Sequence, residues 1–168
     1  HDGRIWIGTY GGGLSMLPTA DSEEFVTVRN NFPDYPQEAG QRIRYLHCMP
    51  DGRMLVASVS GLILFEPSDR PELTLFNLIT KQPGDPASLG NNDVMHVFTD
   101  RKGNTWLSTF GGGLNRLYFE NGSPKFDIIS SSDGLASNIM LSAVEDSEGV
   151  IWMATEAGLS SYDPSTSA

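Results

Sequence analysis

Four stretches of this chain fall into register with one another, and that repetition restricts its folds more than any other feature. They span residues 2–14, 51–62, 103–114 and 149–159, and each centres on a bulky residue followed by small ones. The equivalent bulky positions are Trp6, Leu55, Trp106 and Trp152, so the periods are 49, 51 and 46 residues. Self-similarity at a period of roughly 20–50 residues means that one supersecondary unit is stacked several times. A period of about 40–50 residues matches one four-stranded blade of a β-propeller.

Each repeat parses into four strand signals. An alternating apolar run comes first, at 43–49, 94–99 and 139–145, and is called strand A. Asp/Gly turns follow at Asp51-Gly52, 100–103 and 146–149, as in hairpins. Strand B carries the Trp or Leu. Strand C is expected at 14–17, 62–65, 114–119 and 159–162, and strand D at 25–28, 73–78 and 126–129. No segment has a helical period. The small pairs Gly8-Thr9, Ala57-Ser58, Ser108-Thr109 and Ala154-Thr155 fit where blades crowd together. Gly11 to Gly13 and Gly111 to Gly113 read as turns whose φ angles favour glycine. With no helix and no Lys-Ser/Thr after them, these glycines do not resemble a phosphate cradle.

The expected class is therefore all-β, with four-stranded antiparallel propeller blades amounting to about three and a half of a larger ring. The blades are expected at 1–30 (strands B to D), 42–79, 92–130 and 138–164 (strands A to C). The chain opens at His1-Asp2-Gly3, in mid-motif and without Met, which reads as a piece of something longer. Open edges and faces at the two ends predict self-association.

The net charge of -10 and a pI near 4.5 argue against nucleic acid and anionic membrane surfaces as partners. No apolar run of about 18 residues is present, so no membrane contact is expected within these residues. Cys48, the one cysteine, has no partner for an internal disulfide. His47 and His96 lie on apolar strands without a second ligand at metal-binding spacing; no metal and no cofactor is expected.

The run from Asp100 to Leu114 reads Asp-x-x-Gly-x-x-Trp-x-x-Thr-x-Gly-Gly-Gly-Leu and resembles the two-component regulator propeller repeat. Residues 84–94, Gly-Asp-Pro-Ala-Ser-Leu-Gly-Asn-Asn-Asp-Val, are similar to that family's connection into a new blade. The likeness runs from Asp2 to Pro164. It departs at Leu55, which replaces Trp, and in repeats two and four, whose glycine turns are one residue shorter. The resemblance implies a ring of seven or eight blades. It also implies a periplasmic location, as the extracytoplasmic sensor of a hybrid two-component receptor that carries a histidine kinase elsewhere. The remaining blades of that parent would be partners, and a carbohydrate or its breakdown product the ligand.

An up-and-down order of strands places the B–C turns and the long D–A connections (30–41, 80–92 and 130–138) on one face. Tyr10, Tyr35, Arg42, Asn92, Phe110, Asn138 and Glu156 are its candidate ligand contacts. Rings would stack on a sugar's apolar face while amides, carboxylate and guanidinium bond its hydroxyls. For Asn92 and Asn138, capping of turns into strand A is an equally local explanation. Trp6, Trp106 and Trp152 are assigned to packing between blades. No catalytic residue is assigned. A protein-binding scaffold is one alternative. Another is a sialidase-like glycosidase or lyase, suggested by an Asp-box-like turn at 99–106; of the arginines, only Arg42 is expected near the loop face.

Overall fold

Alternating apolar strands closed by glycine turns give fourteen strands among the described residues, in four antiparallel sheets. The structure is a computed structural model describing residues 3–166. His1 and Asp2, which open the first repeat, lie outside the described residues. The first sheet holds β1 (Ile5–Thr9), β2 (Gly13–Leu17) and β3 (Val26–Thr27). The second runs in order β4 (Ile43–Cys48), β5 (Met54–Ser58), β6 (Gly61–Phe65) and β7 (Phe76–Ile79). The third is β8 (Val94–Thr99), β9 (Thr105–Thr109), β10 (Leu114–Glu120) and β11 (Ser123–Ile129). The fourth is β12 (Met140–Glu145), β13 (Ile151–Thr155) and β14 (Gly158–Tyr162).

Strand D of the second sheet starts later than the expected residue 73. Pro71–Leu73 forms a 3-10 turn, because Pro lacks the N–H that a ladder needs. In the third sheet strand D instead starts earlier. Asn121 (φ 50°) and Gly122 (φ 80°) both take positive φ, so β10 and β11 join in a tight hairpin.

Neighbouring sheets meet through their first two strands: β1 against β4, β4 and β5 against β8, β8 and β9 against β12. This crowding explains the small residues. A Cβ on Gly8 would lie 2.6 Å from Ile43 Cγ2. Three clusters fill the three seams. Leu14, Phe32, Val56 and Ile63 join the first two sheets, while Leu55, Leu62, Val97 and Leu107 join the second and third. Trp106, Leu114, Met140 and Met153 join the third and fourth. Within the first seam Trp6 lies edge-on to Phe65 at 5.0 Å. Trp106 is 2% exposed, whereas Trp152 is 39% exposed on the outward face of the fourth sheet. Trp152 stands at the position by which Trp6 and Trp106 pack on the following sheet, and among the described residues no sheet follows the fourth.

The A–B hairpins are held from a point six residues before the Trp or Leu. Asp100 accepts from the Lys102 and Asn104 amides at 3.0 and 2.8 Å and from Trp106 Nε1 at 2.8 Å. Asp146 does the same for Glu148, Val150 and Trp152 Nε1. The corresponding residue of the second sheet is Met49, not Asp51, which engages Arg53 instead.

Candidate ligand-binding rim

The opposite ends of these strands carry the B–C turns, and one side-chain hydroxyl staples each turn. Thr9 and Thr109 donate to Gly13 and Gly113 carbonyls, both at 3.0 Å, and accept from the Gly12 and Gly112 amides. Ser58 and Thr155 staple the shorter turns in the same way. From the sequence these four residues read only as small. Their recurrence as Ser or Thr was the available signal for a hydroxyl role.

The three-glycine turns do more than close a hairpin. Gly11 and Gly13 N–H groups both donate to the carbonyl of Gln41, at 2.9 and 3.1 Å. Gly111 and Gly113 both donate to the carbonyl of Asn138, at 3.0 Å each. Each turn is thus clamped to the connection entering the following sheet. Gly113 has φ 70°, and a Cβ there would meet the Ile129 carbonyl oxygen at 2.2 Å. Buried Asn115 completes the weld: its Oδ1 accepts from Gly90 N at 2.7 Å while Nδ2 donates to the Gly112 and Gly113 carbonyls.

These bonds bring the B–C turns and the D–A connections onto one rim, where six of the seven candidate residues are wholly or partly accessible. Tyr10 is 63% exposed and bridges backbone to backbone with exposed Arg42. Phe110 is 45% exposed; its N–H donates to the Asp93 carbonyl at 2.8 Å, and it bridges with Ile139. Glu156 is exposed and accepts from Ser137 Oγ at 3.2 Å. Asn92 and Asn138 are engaged as caps, accepting from the Lys81 and Ser131 amides at 2.7 and 2.6 Å.

Tyr35 is the correction. It is 3% exposed, its hydroxyl donates to the Gly40 carbonyl at 2.7 Å, and its ring lies edge-on to Phe76. Burial pushes its phenol well above the ordinary range. Its ring belongs to the seam between the first two sheets and is not available for stacking.

Sequence reasoning also missed Arg44. The three inner strands share a β-bulge at equivalent places, between Ile43 and Tyr45, Val94 and His96, and Met140 and Ser142. A bulge re-aims the extra residue. In β4 that residue is Arg44, which forks onto both oxygens of Asp93 at 2.7 and 2.9 Å and lies 5.8 Å from the Tyr10 ring centroid. The bond to Asp93 holds the guanidinium still more firmly in its charged form. Arg29 lines a shallow groove of about 170 Å³ with the Gly11 to Gly13 turn. Arg42 is therefore not the rim's sole arginine.

The sequence profile described as two component regulator propeller matches residues 134–157, which run through the bulge and the Asp146 hairpin into the B–C turn of the fourth sheet. Residues 134–157 are thus similar to the two-component regulator propeller repeat. Comparison with curated proteins finds no match. Among solved structures, the extracellular domain of a B. thetaiotaomicron hybrid two component system is 23% identical, with a TM-score of 0.75. A second such domain from the same organism is 20% identical, with a TM-score of 0.74. Both alignments cover 98% of this chain and 22% of the other. PorZ of Porphyromonas gingivalis, a surface component of the type-IX secretion system, is 15% identical with a TM-score of 0.67, over 98% of this chain and 25% of that one. These likenesses establish the propeller fold, and the chain spans about a fifth of the first two relatives' length. The blade architecture thus recurs here in four sheets, of which the fourth holds the residues that match the profile.

Proposed function

We propose that this chain is part of a ligand-sensing propeller of a hybrid two-component receptor, on the periplasmic side of the membrane. Its B–C turn rim would contribute to binding a carbohydrate or a breakdown product of one. The observation carrying this reading is the placement of Tyr10 and Phe110. They occupy equivalent positions in the first and third repeats, each with an open ring on a backbone fixed by cross-sheet bonds. A ring on a fixed backbone gives up little conformational freedom when a sugar stacks on it. Arg42 and Glu156 add charged hydrogen-bonding groups on the same rim. Likeness in fold to extracellular domains of hybrid two component systems supports the location and the sensing role. Signalling would follow if the two arrangements of the receptor bind the ligand with different affinities.

The test is binding of the chain to an immobilised panel of neutral and acidic oligosaccharides. Tyr10→Ala and Phe110→Ala should each weaken retention about 5- to 10-fold, the order expected for one aromatic contact. Retention unchanged in both variants would remove the rim from the account. Retention of no member of the panel by the unaltered chain would count against the carbohydrate reading.

A further inference from the structure

Two of the chain's three histidines stand on the inner strands of adjacent sheets. Tyr45 and His96 follow equivalent bulges in β4 and β8, and their rings lie 4.5 Å apart across the seam. His47 lies two residues further along β4. Its Nε2 is 2.7 Å from Thr99 Oγ1 on β8, which in turn is 3.2 Å from Thr105 Oγ1. His96 Nδ1 is buried and has no hydrogen-bond partner. At the matching places of β12 stand Ser142 and Val144, so the seam between the third and fourth sheets has no such pair.

We propose that His47 and His96 make the seam between the second and third sheets a pH-sensitive junction, tight while both rings are neutral and loosened when they take up protons. The buried Nδ1 of His96 tolerates being a lone acceptor better than being a charged N–H without an acceptor. Nothing nearby is spare to balance the new charge. The charged groups on or beside the strands packed here are Arg42, Arg44 with Asp93, Arg53 with Asp51, Asp100, and Glu145 with Arg101; β5 and β9 themselves carry none. Asp93, Asp51 and Glu145 are already engaged by guanidinium groups, and Asp100 by the Trp106 indole and the Lys102 and Asn104 amides. Burial lowers the proton affinity of both rings, and the charge of His96 lowers that of His47 further.

The direction of the effect follows. Folded-state values lie below the unfolded value near 6.5, so the unfolded chain binds more protons between the two. Stability is full above that pH and declines as pH falls through it toward the folded-state values. Aspartates and glutamates ordinarily titrate near 4, which leaves the window from about pH 5.5 to 7.5 to the histidines and the α-amino group.

The experiment is thermal unfolding of the 168-residue chain across that window. Its melting temperature should fall by roughly 3 °C on acidification. His1→Gln should leave that slope intact, and His47→Gln and His96→Gln should each flatten it. A flat profile for the unaltered chain, or a slope that survives in both seam variants, overturns the proposal. Should a seam variant fail to fold, NMR titration of the unaltered chain decides. Two imidazoles protonating below the ordinary range support the junction, and two titrating at 6.5 refute it.

Discussion

The second and third sheets share hairpin geometry yet fill it with opposite chemistry. At the A–B turn, Met49 and Asp100 each donate their amide to the residue four positions on, at 2.8 and 2.9 Å, and accept from a glycine three positions on. Around that common backbone the third sheet places Asp100 under Trp106, while the second places buried Met49 and buried Leu55. Carboxylate and indole are replaced as a pair by thioether and isobutyl, always six residues apart. The backbone therefore sets the turn, and the side chains need only satisfy one another. At the other rim the third sheet has two glycine amides, of Gly111 and Gly113, clamped to the Asn138 carbonyl, whereas in the second the Val59 amide reaches only the Arg42 carbonyl of its own sheet.

The largest expected effect comes from breaking one member of the pair. Asp100→Met leaves the buried Trp106 N–H and two turn amides without their acceptor and should cost about 3 kcal/mol in chemical denaturation. Adding Trp106→Leu, which recreates the second sheet's solution, should recover more than about 1 kcal/mol of that loss. Strict additivity of the two changes would dissolve the comparison.

A smaller effect sharpens the contrast between two turns identical in sequence. A Cβ on Gly112 would come within 2.4 Å of Gly90 backbone, whereas on Gly12 the nearest atom is Thr9 Oγ1 at 2.8 Å. Gly112→Ala should therefore destabilise by about 2 kcal/mol and Gly12→Ala by less than about 1 kcal/mol, read from the same unfolding curves. Equal losses would mean that the Gly90 connection moves aside.

These pairs also mark what the sequence makes legible. The period, the strand order and the side on which the loops gather follow from Trp6, Leu55, Trp106 and Trp152 and from the turn glycines, because burial and φ preferences act locally. Met49 is hard to read as a counterpart of Asp100, since the nearby Asp51-Gly52 looks like the turn that recurs at Asp100 and Asp146, but the Asp51 side chain engages Arg53. Arg44 was likewise hidden: one extra residue in a bulge turns it toward Asp93, and a strict two-residue alternation contains no sign of that. Tyr35 read as a rim aromatic because its loop is polar. Its ring folds back onto Phe76, a contact 41 positions away along the chain.

A rim preorganised by cross-sheet clamps is the claim on which the proposed binding role rests, and amide hydrogen exchange followed by NMR tests it most directly. Gly11, Gly13, Gly111 and Gly113 sit in surface turns, yet each donates to Gln41 or Asn138. Their amides should exchange as slowly as those of the neighbouring strands, since opening them requires parting two sheets. Exchange at the rate of an unstructured chain would show that the turns are free and that nothing holds Tyr10 and Phe110 in place for a ligand.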